Sequence, residues 1–395
     1  MLAVAMLLAA CSSGSGGGSS AGSGGGRATL SVQPSPCAWP TRADRQTLNV
    51  AYPDADATYW ATRYVLGRGE RLEIDGVFPA ARYFSFVTYY PDGGVRGAVN
   101  DRSIAPASVA NPFAGTGAGT PGRGRYVVRI TPRGARAANT VAGGATGSVI
   151  YRVYVPTDAK DPGGGVPLPT MWLVGHTGAR RRMAPCATPG PNPATTRLIE
   201  RNGPPTTTAA PARPIFIRPA ATAARLYPNP DNVYLATILH YTPGRLVVVR
   251  GRAPTFPDTR AGQPITGREE VRFWSVCTNE YRKPYPVTDC VPDAAVPLDR
   301  DGNFTVVIST AAERPANANG SAGVAWLDWG STAVDDVVLV RNMLPGAGFD
   351  QSALNVAPGS LAATTMGPYA PSGVYCAVAD FARGGPAACP AAERG

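Results

Sequence analysis

Two histidines, His176 and His240, are the only imidazole bases in the chain, which excludes a His-rich metal centre. A serine hydrolase needs Gly-x-Ser-x-Gly, a strained elbow that exposes the nucleophile. The nearest approach, Asn319-Gly320-Ser321-Ala322-Gly323, lacks the first glycine. His240 follows the apolar run Leu235 to Leu239 and reads as a structural residue at a strand end. His176 sits in the glycine-flanked stretch Gly175-His176-Thr177-Gly178 and is the better functional candidate. With Trp172 and the cluster Arg180, Arg181 and Arg182 it forms a possible ligand site, expected in a cleft between domains or under the segment joining them. Asp299-x-Asp301-Gly302-Asn303 offers calcium-type oxygens, yet it lacks the distant Glu of an EF-hand loop and reads as a hairpin turn. Asp335 and Asp336 are adjacent, so on a strand they would face opposite sides. They read as a turn and not as a glycosidase pair. No catalytic residue, metal or cofactor is assigned.

Cysteines carry the clearest signal. Of seven, Cys11 stands apart, at the end of an apolar run in the context Leu8-Ala9-Ala10-Cys11. This resembles the lipobox of bacterial lipoproteins, which implies a signal peptide over 1–11 and a lipid on Cys11. No Lys or Arg precedes the apolar run, so the translation start is expected upstream. Residues 12–36 are rich in Ser and Gly, a flexible tether. Cys37, Cys186, Cys277, Cys290, Cys376 and Cys389 remain, an even number that reads as disulfides in an exported chain. Proximity favours Cys277 with Cys290 and Cys376 with Cys389, leaving Cys37 with Cys186. A zinc site fails for want of a close Cys-x-x-Cys pair and of paired His.

The elements that must position these residues repeat along the chain. Tyr52-Pro53-Asp54-Ala55-Asp56 recurs as Tyr227-Pro228-Asn229-Pro230-Asp231, Arg82-Tyr83-Phe84-Ser85 as Arg272-Phe273-Trp274-Ser275, and Asn100-Asp101 as Thr288-Asp289. The segment Ile150 to Pro156 recurs as Leu339 to Pro345, with Arg152 answering Arg341. A period this long fits duplication of a whole domain. Each block reads as a strand: Leu72 and Ile74 alternate with charged neighbours, and the continuous runs Leu246–Val249 and Val337–Val340 suit strands covered on both faces. With 46 Gly and 40 Pro a helix bundle is excluded, and the only short helix expected lies near Ala194–Glu200. The fold class is therefore all-β: two tandem antiparallel β-sandwiches, jelly-roll-like, related by internal duplication. Their expected bounds are 37–175 and 223–376, with a Pro/Thr/Arg-rich connection at 176–222 and a tail at 377–395.

The combination of Arg82 to Phe86, Asn100-Asp101, Asn111-Pro112-Phe113, Phe273-Trp274-Ser275 and Asp301 to Thr305 resembles the bacterial families of unknown function numbered 1254 and 1214. The likeness spans roughly a third of the residues in short motifs. It implies a β-rich sandwich and brings no catalytic residues.

Arg82, Arg272, Arg152 and Arg341 each lie on an otherwise apolar strand, where an unpaired charge is costly. Arg82 is expected to pair with Asp101, and Arg272 with Asp289, as buried structural bridges. The net charge of +10 comes without a nucleic-acid recognition motif. It suits attraction to anionic envelope polymers or lipid headgroups. The expected protein is a monomer, exported and lipid-anchored to the outer face of the cell envelope through Cys11. It is expected to act as a noncatalytic binding or scaffolding module. The alternative is a secreted hydrolase acting on a sugar or ester in the inter-domain cleft.

Overall fold

The computed structural model describes residues 33–108, 110–115, 124–206, 209–220 and 226–390. Cys11 and the Ser/Gly stretch as far as residue 32 lie outside the described residues. The first sandwich contains β1 (Thr41–Ala43), β2 (Ala57–Val65), β3 (Arg71–Val77), β4 (Ala81–Tyr89) and β5 (Val95–Asn100). It continues with β6 (Arg125–Thr131), β7 (Thr140–Ala142), β8 (Thr146–Pro156), β9 (Thr170–Val174) and β10 (Arg180–Arg182). One sheet runs β1-β2-β8-β4-β5 and the other β10-β9-β3-β6-β7. Period-two alternation sorts the faces. On β2, Trp60 and Tyr64 enter the core with Phe84, Phe86 and Tyr126, while Tyr59 and Arg63 face outward.

After α1 (Pro193–Asn202), the second sandwich contains β11 (Asn232–Leu239), β12 (Arg245–Arg252), β13 (Phe273–Glu280) and β14 (Val287–Pro292). It closes with β15 (Asn303–Ser309), β16 (Ala325–Asp328), β17 (Asp336–Met343), the short α2 (Ala363–Met366) and β18 (Ser372–Ala377), followed by α3 (Val378–Gly384). Its sheets run β11-β17-β13-β14 and β16-β15-β12-β18. The connectivity matches the first sandwich strand for strand: β2-β8-β4-β5 answers β11-β17-β13-β14, and β9-β3-β6-β7 answers β18-β12-β15-β16. Even the exceptional parallel pairs correspond, β6 with β7 and β15 with β16. The fold is all-β, with antiparallel pairing dominant.

The inner sheets, β1-β2-β8-β4-β5 and β11-β17-β13-β14, turn their outer faces toward each other. Tyr83 and Tyr154 of the first meet Phe273 and Met343 of the second in one buried cluster. Strands with both faces buried must be apolar throughout. On β12, Val247 and Val249 enter the second core, while Leu246 and Val248 pack under Phe381 of α3 and the Cys376–Cys389 disulfide. The chain after Ala377 is therefore a packed cover. Cys37–Cys186 ties the segment before β1 to the chain after β10, and Cys277–Cys290 joins directly opposed residues of β13 and β14. Three disulfides fit an oxidising, extracytoplasmic environment. No helix among the described residues is long and apolar enough to cross a membrane.

Candidate functional site

Four buried charges meet at the seam between the sandwiches, in two exchanged pairs. Arg82, near the start of β4, reaches Asp293 of the second sandwich at 2.9 Å, with Asp258 at 3.5 Å. Arg272, just before β13, reaches Asp101 of the first sandwich at 3.0 Å. The two aspartates occupy the same place in each half, opening the 3-10 turn that follows β5 or β14. Each accepts a second bond from the strand beside it, Asp101 from the Phe84 N–H at 3.3 Å and Asp293 from the Trp274 N–H at 3.1 Å. All four side chains are buried. Burial pushes the Asp293 carboxyl up to about 6, against the pull of Arg82. Burial likewise raises Asp101, opposed by Arg272.

The expected pairs inside each half, Arg82 with Asp101 and Arg272 with Asp289, do not form. Asp289 lies mid-strand on β14 and meets the partly exposed Arg45 at 3.4 Å. The register explains the slip: Ser85 opposes Asn100 and Ser275 opposes Pro292, so the counterpart of Asp101 is Asp293.

Arg152 and Arg341 are a second matched pair. Arg152 opposes Tyr59 and Ser85, and Arg341 opposes Tyr234 and Ser275. Each guanidinium lies over its tyrosine, 5.7 Å from the ring centre in both halves. Both again reach across the seam. Arg341 donates to the carbonyls of Tyr52 and Pro53 at 2.9 Å, and Arg152 to the carbonyl of Tyr227 at 2.8 Å. Tyr52 and Tyr227 hold left-handed backbone, φ 55° and 52°, a conformation rare for a bulky residue.

A cavity of about 130 Å³ lies beside this second pair. Its floor is the outer face of β1, β2 and β8, with Tyr59, Ile150, Arg152 and Tyr154. Tyr52, Tyr227 and Asn229 also line it. Sequence reasoning placed a site in the cleft but did not name these residues. The signal available was the repeated Tyr-Pro-Asx motif.

The residues proposed for that site lie elsewhere. Trp172 and Arg180–Arg182 belong to β9 and β10, at the free edge of the outer sheet. Arg180 stacks over Trp172 at 4.5 Å and meets Glu73 at 3.3 Å, in a surface network with Arg71 and Arg129. His176 is exposed in the loop between those two strands, against Gly69. A short edge hairpin cannot reach the seam, because the core of the first sandwich stands between.

His240 Nδ1 lies 2.8 Å from Asp335 Oδ1 on an exposed rim. Among the described residues no Ser, Thr or Cys side chain hydrogen-bonds to it. Asp336 is no turn residue. It opens β17, fully buried, and burial raises its carboxyl well above the usual range. Asp299 caps its own turn, accepting from the Asp301 and Asn303 N–H groups. Asn319 caps the 3-10 turn that carries Ser321. Asp54, Cys277 and Cys290 are the one cluster of metal-type ligands among the described residues, and both sulfurs are spent in a disulfide.

No protein-family model matches the chain, and no curated protein does. Among solved structures, an uncharacterized protein from Burkholderia cenocepacia is 16% identical, with a TM-score of 0.53 over 87% of this chain and 82% of that one. A Vibrio parahaemolyticus protein is 11% identical, with a TM-score of 0.43 over 75% of this chain and 87% of that one. The first likeness shows a shared fold.

Proposed function

We propose that this chain is a lipid-anchored, noncatalytic binding or scaffolding module of the cell envelope, and that its two sandwiches arose by duplication. One observation carries the reading. The buried ionisable groups of the seam bind one sandwich to the other, so their roles are structural, and a cavity is left between them. Catalysis rarely needs a constellation twice, whereas a duplicated fold needs its bridges in each half. Lipid on Cys11 would hold the body at the membrane through the Ser/Gly tether. Surface arginines such as Arg181 and Arg182 would favour anionic headgroups or envelope polymers. The test has two arms. Cys11→Ser, expressed from the extended reading frame, should leave the membrane fraction. The soluble body should show no turnover of esters or glycosides. Hydrolysis abolished by His240→Ala or His176→Ala would overturn the noncatalytic reading.

A further inference from the structure

The two halves differ on the outward faces of their outer sheets. In the second, Leu246 and Val248 of β12 turn outward and are buried under Phe381 of α3. In the first, the matching strand β3 turns Arg71, Glu73 and Asp75 outward, while Leu72 and Ile74 enter the core. Its neighbours follow suit. Arg125 and Arg129 alternate with Tyr126 and Val128 on β6, and Arg180 and Arg182 of β10 oppose Val174 and Trp172. Five arginines less two carboxylates leave three positive charges on this face. Glu73 is buried and shared by Arg71 at 2.9 Å, Arg180 at 3.3 Å and Arg129 at 3.5 Å, which holds those cations in one layer. Arg182 is exposed and pairs with no acid among the described residues.

The N-terminal chain joins the body at the border of this face. Cys37 is bonded to Cys186, just past β10. The Ala38 N–H donates to the Ala184 carbonyl at 2.8 Å, which lays the entering chain against that edge. A lipid on Cys11 would sit at the far end of the Ser/Gly-rich segment, whose length corresponds to a reach of roughly 30 Å on average. The β10 edge is then the side of the body carried nearest to the lipid.

We propose that this arginine face is the surface by which the body lies on an anionic membrane. The inference rests on the lipid-anchored reading and adds the docking face and the orientation, with the first sandwich toward the headgroups and the second away. An arginine close to an anionic surface strengthens binding about fivefold, so three unbalanced charges give roughly 100-fold. The test uses the full chain as Cys11→Ser, so that no lipid contributes, and vesicle sedimentation. Phosphatidylcholine vesicles containing a third phosphatidylglycerol should bind it roughly 100-fold more tightly than phosphatidylcholine alone. Raising the salt from roughly 0.1 to 1 M should abolish the difference. A preference of that size does not hold an unlipidated chain in a salt-washed membrane fraction, so Cys11→Ser is still released there. Arg182→Glu should weaken binding to the anionic vesicles about 25-fold. Arg383→Glu makes the same change of charge on α3, over the other outer sheet, and should weaken it less than about twofold, because it lies beyond the screening length. Arg182→Gln, weaker by about fivefold, repeats the comparison should Arg182→Glu fold poorly. Equal losses at the two positions overturn the proposal, as does equal binding to the two kinds of vesicle. Dextran sulfate bound through Arg182, with no binding to vesicles, would assign the face to a soluble polyanion and overturn it too. None of these results involves the lipid or turnover, so a failed docking face is distinguishable from a failed anchor and from a failed noncatalytic reading.

Discussion

Replacing Asp101 with Asn keeps the acceptor for the Arg102 N–H and deletes the only carboxylate paired with Arg272 among the described residues. Arg272 is 4% exposed and stays charged, so the variant leaves an uncompensated buried cation. That costs about 3–5 kcal/mol. Arg272→Met should be milder. Burial already raises the Asp101 carboxyl, and once Arg272 no longer opposes the shift the group can take a proton. Its deficit should therefore shrink as pH falls from 8 to 5, which the Asn variant's will not. The double variant has no charge left to strand and should lose no more than the worse single one. The coupling energy then equals or exceeds the Arg272→Met loss. Urea unfolding followed by tryptophan fluorescence and circular dichroism measures all four proteins. A parallel cycle with Arg82→Met and Asp101→Asn should couple far more weakly, since those side chains form no ion pair. Equal coupling in the two cycles, or a loss below about 1 kcal/mol for Asp101→Asn, would refute the exchanged arrangement.

Burial, with repulsion from Asp54 and Asp289, pushes the Asp56 carboxyl from 3.8 to about 7. A raised carboxyl stabilises the fold fully below pH about 4, and this contribution is lost as pH rises through about 7. Asp56→Asn should thus flatten the decline in stability between pH 5 and 8, and an unchanged slope counts against it. Phe381 is fully buried over the outer face of β12. Phe381→Ala should cost about 3–5 kcal/mol in urea unfolding, and a loss under 1 would show the tail to be dispensable. Removing Cys37–Cys186, which spans 149 residues, should destabilise more than removing Cys376–Cys389, which spans 13, because loop-closure entropy grows with length. The reverse order in thermal unfolding would contradict that.

Local patterns carried most of the architecture. The alternation of Leu72 and Ile74 marked β3, and the unbroken runs Leu246–Val249 and Val337–Val340 marked strands buried on both faces. Proximity was enough to pair Cys277 with Cys290 and Cys376 with Cys389, because each closes a loop of 13 residues. The helix near Ala194 is present as α1. What stayed hidden depends on docking. Arg82 and Asp293 lie 211 residues apart, and Arg272 and Asp101 lie 171 apart. Nothing local distinguishes a bridge within one sandwich from a bridge between two. Residue type matches Asn100-Asp101 with Thr288-Asp289, but type ignores register, and the Ser85–Asn100 and Ser275–Pro292 pairings make Asp293 the counterpart of Asp101. The Trp172–Arg180 grouping was real, but its composition could not tell an edge hairpin from a cleft wall.

An exchanged pair differs in consequence from two self-contained ones. Were each bridge closed within its own sandwich, the halves could separate with both ion pairs intact. As built, separation would break both ion pairs at once. Both ion pairs, the seam bonds of Arg152 and Arg341 and the apolar cluster around Tyr83 and Phe273 would all be given up to water together. The two sandwiches are therefore expected to unfold as one cooperative unit in spite of having two cores.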